Sequence, residues 1–161
     1  MALSGSSLAQ EIANAMGQTL TPQLTCFGNG IVNELKQGVA GVGIPVGNLI
    51  TGLQGSRAAT EIGNCIASQV PTKLITYMTA MMVYIMTDGT VTYSGPPPPA
   101  TNIWTIGGKI VGLDGDDMAQ FIYEEAFITE APACPDQLKD KCNAVCDYIL
   151  LNAEVENGVI S

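Results

Sequence analysis

The sequence predicts a mainly α protein with short strands (α+β), organised as three tandem helix–helix–strand repeats packed into one body. Three observations predict it. A helix-opening phrase returns three times, as "ALSGSSLAQEIANAM" from Ala2, "GLQGSRAATEIGNCI" from Gly52 and "GLDGDDMAQFIYEEA" from Gly112. Each return is followed by a proline and a second stretch of helical periodicity. Each second stretch then gives way to a short extended segment.

Aligned on the phrase, the copies read Leu3-x-Gly5-x-x-Leu8-Ala9-x-x-Ile12, Leu53-x-Gly55-x-x-Ala58-Ala59-x-x-Ile62 and Leu113-x-Gly115-x-x-Met118-Ala119-x-x-Ile122. The leucine reads as a packing staple before the helix, the glycine as a tight turn, and Ser6, Ser56 or Asp116 as a cap for exposed amides. Apolar residues at offsets of about three, four and seven then make one buried face. Helix pairs are expected to begin near Ser4, Gln54 and Asp114.

The second helices follow Pro22, Pro71 and Pro135, where a missing amide hydrogen costs nothing in the first helical turn. Gly38, Gly89 and Asn152 are expected to end them in a left-handed or turn conformation. The extended segments are "VAGVGIPVG", "TVTYSG" and "AEVENGVIS", and two further β-rich runs, "GIPVGNLITGL" and "IWTIGGKIVGL", lead into copies two and three. Pairing of these two runs across copies would join the repeats. The resulting organisation is 1–52, repeat 1 with an extended arm; 53–112, repeat 2 with a proline-rich linker at 95–102 and a strand; and 113–161, an acidic repeat 3. Pro96 to Pro99 supply no amide donors and favour a stiff extended spacer.

With 47% hydrophobic and 13% charged residues, the chain carries enough apolar material for a core. Its charge is uneven: the net value of −9 is carried by residues 113–161, because the two earlier segments cancel. Clustered Lys and Arg, which displace counterions from a phosphate backbone, are lacking, so no direct nucleic-acid partner is expected. The opening "MALSGSSLAQEI" reaches a polar helix pattern at once, unlike a signal peptide, and the longest apolar run, Leu74 to Met86, is short for a bilayer span. A soluble, cytoplasmic protein is the default expectation, with no membrane partner.

Candidate chemistry is sparse. The chain has no histidine to act as a base near neutral pH, no G-x-S-x-G elbow and no phosphate-cradling glycine motif in "GNGIVNELKQGVAGVG". Glu124 and Glu125 are adjacent on a helix and point to different sides. No catalysis, cofactor or small-molecule substrate is expected. Asp114, Asp116 and Asp117 form an oxygen-rich phrase; the other copies place Ser4, Ser6 and Ser7 or Gln54, Ser56 and Arg57 there, which favours helix capping, with divalent-cation binding as the alternative. Cys26 and Cys65 read as buried apolar fillers. Cys134, Cys142 and Cys146 form the one cluster, either free thiols or a disulfide from Cys134 to one of the others. Met78, Met81, Met82 and Met86 read as core packing or as an adaptable partner groove, with Met78 and Met82 the interface candidates. Trp104 is a core plug between repeats or an interface anchor.

Low charge, small residues and tandem copies favour an assembly component acting through repeated helical surfaces and extended arms; the competing class is an acidic binding module for a divalent cation or a partner peptide. "LSGSSLAQEIANAM" followed by "GNGIVNELKQGVAGVG" resembles the small helical proteins encoded among the structural genes of tailed bacteriophages, in which an L-x-G-x-x-L-A-x-x-I helix precedes an I-V-x-x-I/L helix and a Gly/Val-rich tail. The resemblance implies a virion location, as a neck, tail or baseplate part or a capsid cement protein. It further implies other structural proteins as partners in a symmetric assembly.

Overall fold

The computed structural model describes residues 2–41, 49–67, 69–93, 108–156 and 158–161; the proline-rich linker and Trp104 lie outside them. The described chain is mainly helical with short antiparallel strands. In order it runs α1 (Gly5–Ala15), α2 (Pro22–Gln37), β1 (Val39–Ala40), β2 (Ile50–Thr51), α3 (Gly55–Cys65), α4 (Thr72–Asp88), β3 (Thr90–Tyr93), β4 (Gly108–Val111), α5 (Gly115–Ile122), a π-helical turn (Tyr123–Phe127), α6 (Asp136–Asn152), β5 (Glu154–Glu156) and β6 (Val159–Ile160).

The first helix of each pair starts at the residue that the recurring phrase marks, with Ser4, Gln54 and Asp114 as N-caps in extended conformation. The caps sit two residues earlier than Ser6, Ser56 and Asp116. Ser4 accepts a hydrogen bond from the Ser7 amide, and Asp114 one from the Asp117 amide, each satisfying a donor that the first helical turn leaves without an intrahelical partner. Gln54 makes no such side-chain bond. The apolar stripe behaves as expected: Leu3, Leu53 and Leu113 are buried before the helix, and Ile12, Ile62 and Ile122 are buried within it.

The glycine of the phrase has a different role from a turn. Gly5, Gly55 and Gly115 are the first helical residues, and a β-carbon on them would run into Asn29, Thr79 and Asn143 of the adjacent second helix. At Gly55 the obstacle is the backbone of Met78 and Thr79, which no rotamer change can move aside. The slot is reserved for glycine because two helix backbones touch there.

The prolines fall on both sides of the helix boundary. Pro22 is the first residue of α2, capped by Thr21, whereas Pro71 and Pro135 are themselves the N-caps of α4 and α6. At the other ends, Gly38, Gly89 and Ala153 are extended, with φ near −73°. The left-handed stop expected there is not used, because the chain passes straight into a strand. The π turn after α5 takes up part of the longer spacing between Ile122 and α6, and the Tyr123 hydroxyl then closes the connection on the Ala131 carbonyl at 2.6 Å.

The strands form one antiparallel sheet in the order β2-β1-β6-β5-β4-β3. An antiparallel bridge between Leu49 and Thr90 joins the two end strands, so the pairing returns to its starting point. The described parts of the segments expected to be extended arms are thus paired inside the chain. Among the described residues the two runs preceding α3 and α5 do not pair with each other: β2 pairs with β1, and β4 with β3 and β5. Three directly opposed pairs, Ala40 with Ile50, Val91 with Ile110 and Val155 with Ile160, are all buried, and they fill the inner face of the sheet. These residues belong to the same apolar cluster as the inner faces of the helices.

Replacing Gly55 by Ala should destabilise the chain by about 2–3 kcal/mol, since overpacking against immovable backbone is relieved only by separating the helices. Urea unfolding measures this; Ser56→Ala, on the exposed side of the same turn, is the neutral control.

Candidate functional site

The helix pairs meet along three seams, each between the second helix of one pair and the first helix of the next: α2 with α3, α4 with α5, and α6 with α1. At each seam the N-cap amide of the incoming helix is held by a side chain of the preceding pair. The Gln54 amide donates to the Glu34 carboxylate at 2.8 Å, the Asp114 amide to the Tyr84 hydroxyl at 2.9 Å, and the Ser4 amide to the Tyr148 hydroxyl at 2.8 Å. The Tyr148 hydroxyl donates back to the Ser4 carbonyl at 3.1 Å. Burial pushes the Tyr84 phenol up to about 12, so it stays a neutral hydroxyl.

Glu34 is 1% exposed and is the one buried charged side chain among the described residues. Its carboxylate is met by the Gln54 amide and by two Arg57 nitrogens, at 2.8 Å and 2.6 Å, in the paired geometry a guanidinium supplies. Nothing in the local sequence distinguishes Glu34 from a solvated helix residue. The phrase alone sets Arg57 opposite Ser7 and Asp117, whereas the second helices come into register only through the close contacts of Gly5 with Asn29, Gly55 with Thr79 and Gly115 with Asn143, five residues beyond which stand Glu34, Tyr84 and Tyr148.

The seams differ in what they leave open. Between α6 and α1 lies a cleft of about 670 Å³ that Glu11, Asp140 and Asp147 make acidic. Between α2 and α3 lies one of about 560 Å³ lined by Arg57, Glu61 and Gln37. Neither cleft offers a thiol or an imidazole beside its carboxylates.

The oxygen-rich phrase is spent on structure. Asp114 caps α5, and Asp116 accepts from the Asn143 side chain at 2.9 Å. Among the described residues no three His, Cys, Asp or Glu side chains are grouped so as to hold a metal ion. Asp117 contributes its amide to the Asp114 cap.

The cysteines depart from expectation at Cys26 and Cys65, while at Cys134, Cys142 and Cys146 the free-thiol alternative holds. Cys26 of α2 and Cys65 of α3 form a disulfide across their seam, and Cys65 is exposed, so these two are a crosslink rather than core fillers. Cys134, Cys142 and Cys146 are free. Cys142 and Cys146 are buried, which raises both thiols, Cys146 to about 12, and leaves them poor nucleophiles. The pairing was missed because it depends on the packing of α2 against α3, which brings together two residues 39 apart in sequence.

Met78 and Met82 are fully buried in the core and present no surface to a partner. Like Cys142 and Cys146 of α6, they serve as fillers of the apolar core. Nearby, Phe27, Tyr77 and Lys141 converge from α2, α4 and α6: the two rings meet edge to face at 5.9 Å, and the Lys141 ammonium lies over both. Among the described residues no helix is long and apolar enough to cross a membrane. No protein-family model, curated protein or solved structure matches the chain.

The Cys26–Cys65 bond closes a span of 39 residues, for which the chain-entropy relation gives about 4 kcal/mol, so reduction or Cys65→Ser should lower stability by about 2–4 kcal/mol. A thiol reagent should modify Cys134 first in the native protein and reach Cys142 and Cys146 only on unfolding; mass spectrometry of alkylated peptides reads both outcomes.

Proposed function

We propose that the chain is a non-catalytic assembly component, built from three tandem helix–helix–strand repeats closed on themselves, and that it serves as a structural part of a tailed-phage virion in the neck, tail or baseplate or as a capsid cement protein. The observation that carries the reading is the recurrence of one contact at the three seams, where Glu34, Tyr84 and Tyr148 hold the amides of Gln54, Asp114 and Ser4. The third contact joins the last helix to the first, so the order is cyclic as well as tandem. A single chain of this kind offers three related helical surfaces with different side chains, which suits a position of local threefold character in a larger symmetric assembly.

Because the strands pair within the chain, contact with neighbours falls to the outer surface. Val39 and Val159 are register partners on β1 and β6 and leave apolar side chains exposed there, and Leu151 is 76% exposed on α6. The absence of histidine and the engagement of Asp114 and Asp116 in helix-end bonds also favour a structural role. One observation favours the second reading, a binding module for a basic partner peptide: the acidic cleft between α6 and α1.

Two measurements test the proposal. The double variant Glu34→Tyr with Arg57→Ser gives the first seam the residue types of the α6–α1 seam. If the three units are equivalent, it should remain within about 1 kcal/mol of the parent, whereas Glu34→Ala, which removes the acceptor of the part-buried Gln54 amide, should lose about 1–3 kcal/mol. Equal losses for both would reject equivalence. For the virion role, the chain should co-migrate with particles on a density gradient in fixed stoichiometry; recovery wholly among free proteins would reject it.

A further inference from the structure

The Cys26–Cys65 bond closes one end of its seam. Helix α2 runs toward the sheet and α3 returns from it, so Cys26 in the second turn of α2 and Cys65 at the last residue of α3 meet at the end remote from the strands. From there to the sheet the seam has ties of its own. The Asn33 side chain donates to Glu61 at 2.7 Å, and Glu34 accepts from Arg57 and from the Gln54 amide. The two sulfur-bearing residues differ in access, since Cys65 is exposed and Cys26 is buried.

The bond also fastens a strained turn. Ala67, two residues beyond it, has φ 53° and is the one non-glycine residue in the left-handed region among the described residues. A β-carbon disfavours that region. At the corresponding place, one residue past the C-cap of α1, the chain has Gly17 at φ 64°, and no disulfide reaches that turn. Helix α3 therefore ends in a conformation that its residue type resists, with the Ile66 amide on the Ile62 carbonyl at 3.1 Å and the Ala67 amide on the Asn64 carbonyl at 3.2 Å.

We propose that Cys26–Cys65 is a redox latch: closed, it holds the last turn of α3 and Ala67 against α2, and reduced, it releases that turn while the sheet end of the seam stays shut. The reductant is a dithiol. Its thiolate attacks the Cys65 sulfur, the S–S bond breaks, and Cys26 departs as a thiolate that takes up a proton. The second sulfur of the dithiol then displaces Cys65, which is protonated in turn. Two electrons and two protons pass to the pair, and the dithiol leaves as a cyclic disulfide. The freed turn carries Ile66, so reduction adds apolar surface at this end of the molecule.

NMR of the full chain before and after treatment with dithiothreitol tests the latch. The backbone shifts of Ile62 to Ala67 should change, with Ala67 leaving the left-handed region, while those of Asn33, Glu34, Gln54 and Arg57 stay in place. The Ile66 and Ala67 amides should then exchange at rates near those of an unfolded peptide. Reduced Ala67→Gly, whose glycine accepts the left-handed conformation, should protect the Ile66 amide about threefold better than the reduced parent. For the direction of attack, oxidised glutathione should leave a mixed disulfide on Cys65 in Cys26→Ser and none on Cys26 in Cys65→Ser, as peptide mapping reads. A turn unchanged by reduction would make the bond a static staple and overturn the proposal. Shift changes through the whole chain, no gain of protection in Ala67→Gly, or equal mixed-disulfide formation on Cys26 would overturn it as well.

Discussion

The structure depends on how the backbone amides at the entry of α1, α3 and α5 are satisfied. An N-cap amide has no acceptor within its own helix, and these three lie part-buried, each between a buried leucine and a buried glycine. Each therefore requires an acceptor from elsewhere, and each finds it on the second helix of the preceding pair. Meeting that requirement fixes the angle at which one pair enters the next, and meeting it a third time, between Tyr148 and Ser4, brings the end of the chain back to its beginning. The glycine slot belongs to the same constraint, since only a residue without a β-carbon lets Gly55 approach Thr79 closely enough for Gln54 to reach Glu34.

The closed order explains two features that would otherwise look unrelated. The short strands would be marginal as isolated hairpins, but the Leu49–Thr90 bridge and the β6–β1 pairing leave no hairpin alone and place six small or branched side chains on the inner face. The Cys26–Cys65 bond spans the seam at which a buried carboxylate, and not a tyrosine hydroxyl, accepts the N-cap amide. A covalent tie there offsets the desolvation cost that an ion pair carries and a tyrosine does not.

Local features of the fold were legible in the sequence because they depend on neighbours a few residues away. The Leu-x-Gly phrase, the i, i+3, i+4 stripe ending in Ile12, Ile62 and Ile122, and the breaks near Pro22, Pro71 and Pro135 all act within one helix or its cap. The features that were not legible have partners 20 or more residues distant: Glu34 with Gln54, Cys26 with Cys65, Leu49 with Thr90, Tyr148 with Ser4. Residue type left alternatives open. Methionines and cysteines have specialised uses, but at Met78, Met82, Cys142 and Cys146 volume and apolarity are what the core requires. Phe27, Tyr77 and Lys141 stand on α2, α4 and α6, and only the convergence of the three helices brings the two rings and the ammonium together.

Amide hydrogen exchange of Ser4, Gln54 and Asp114 tests the central claim most directly. N-cap amides ordinarily exchange at rates near those of an unfolded peptide, because they face water. Here all three should be strongly protected and to a similar degree, with Ser4 as slow as the other two despite its place near the start of the chain. Rapid exchange at Ser4 alone would contradict closure between α6 and α1, and rapid exchange at all three would contradict the seam contacts on which the whole account rests.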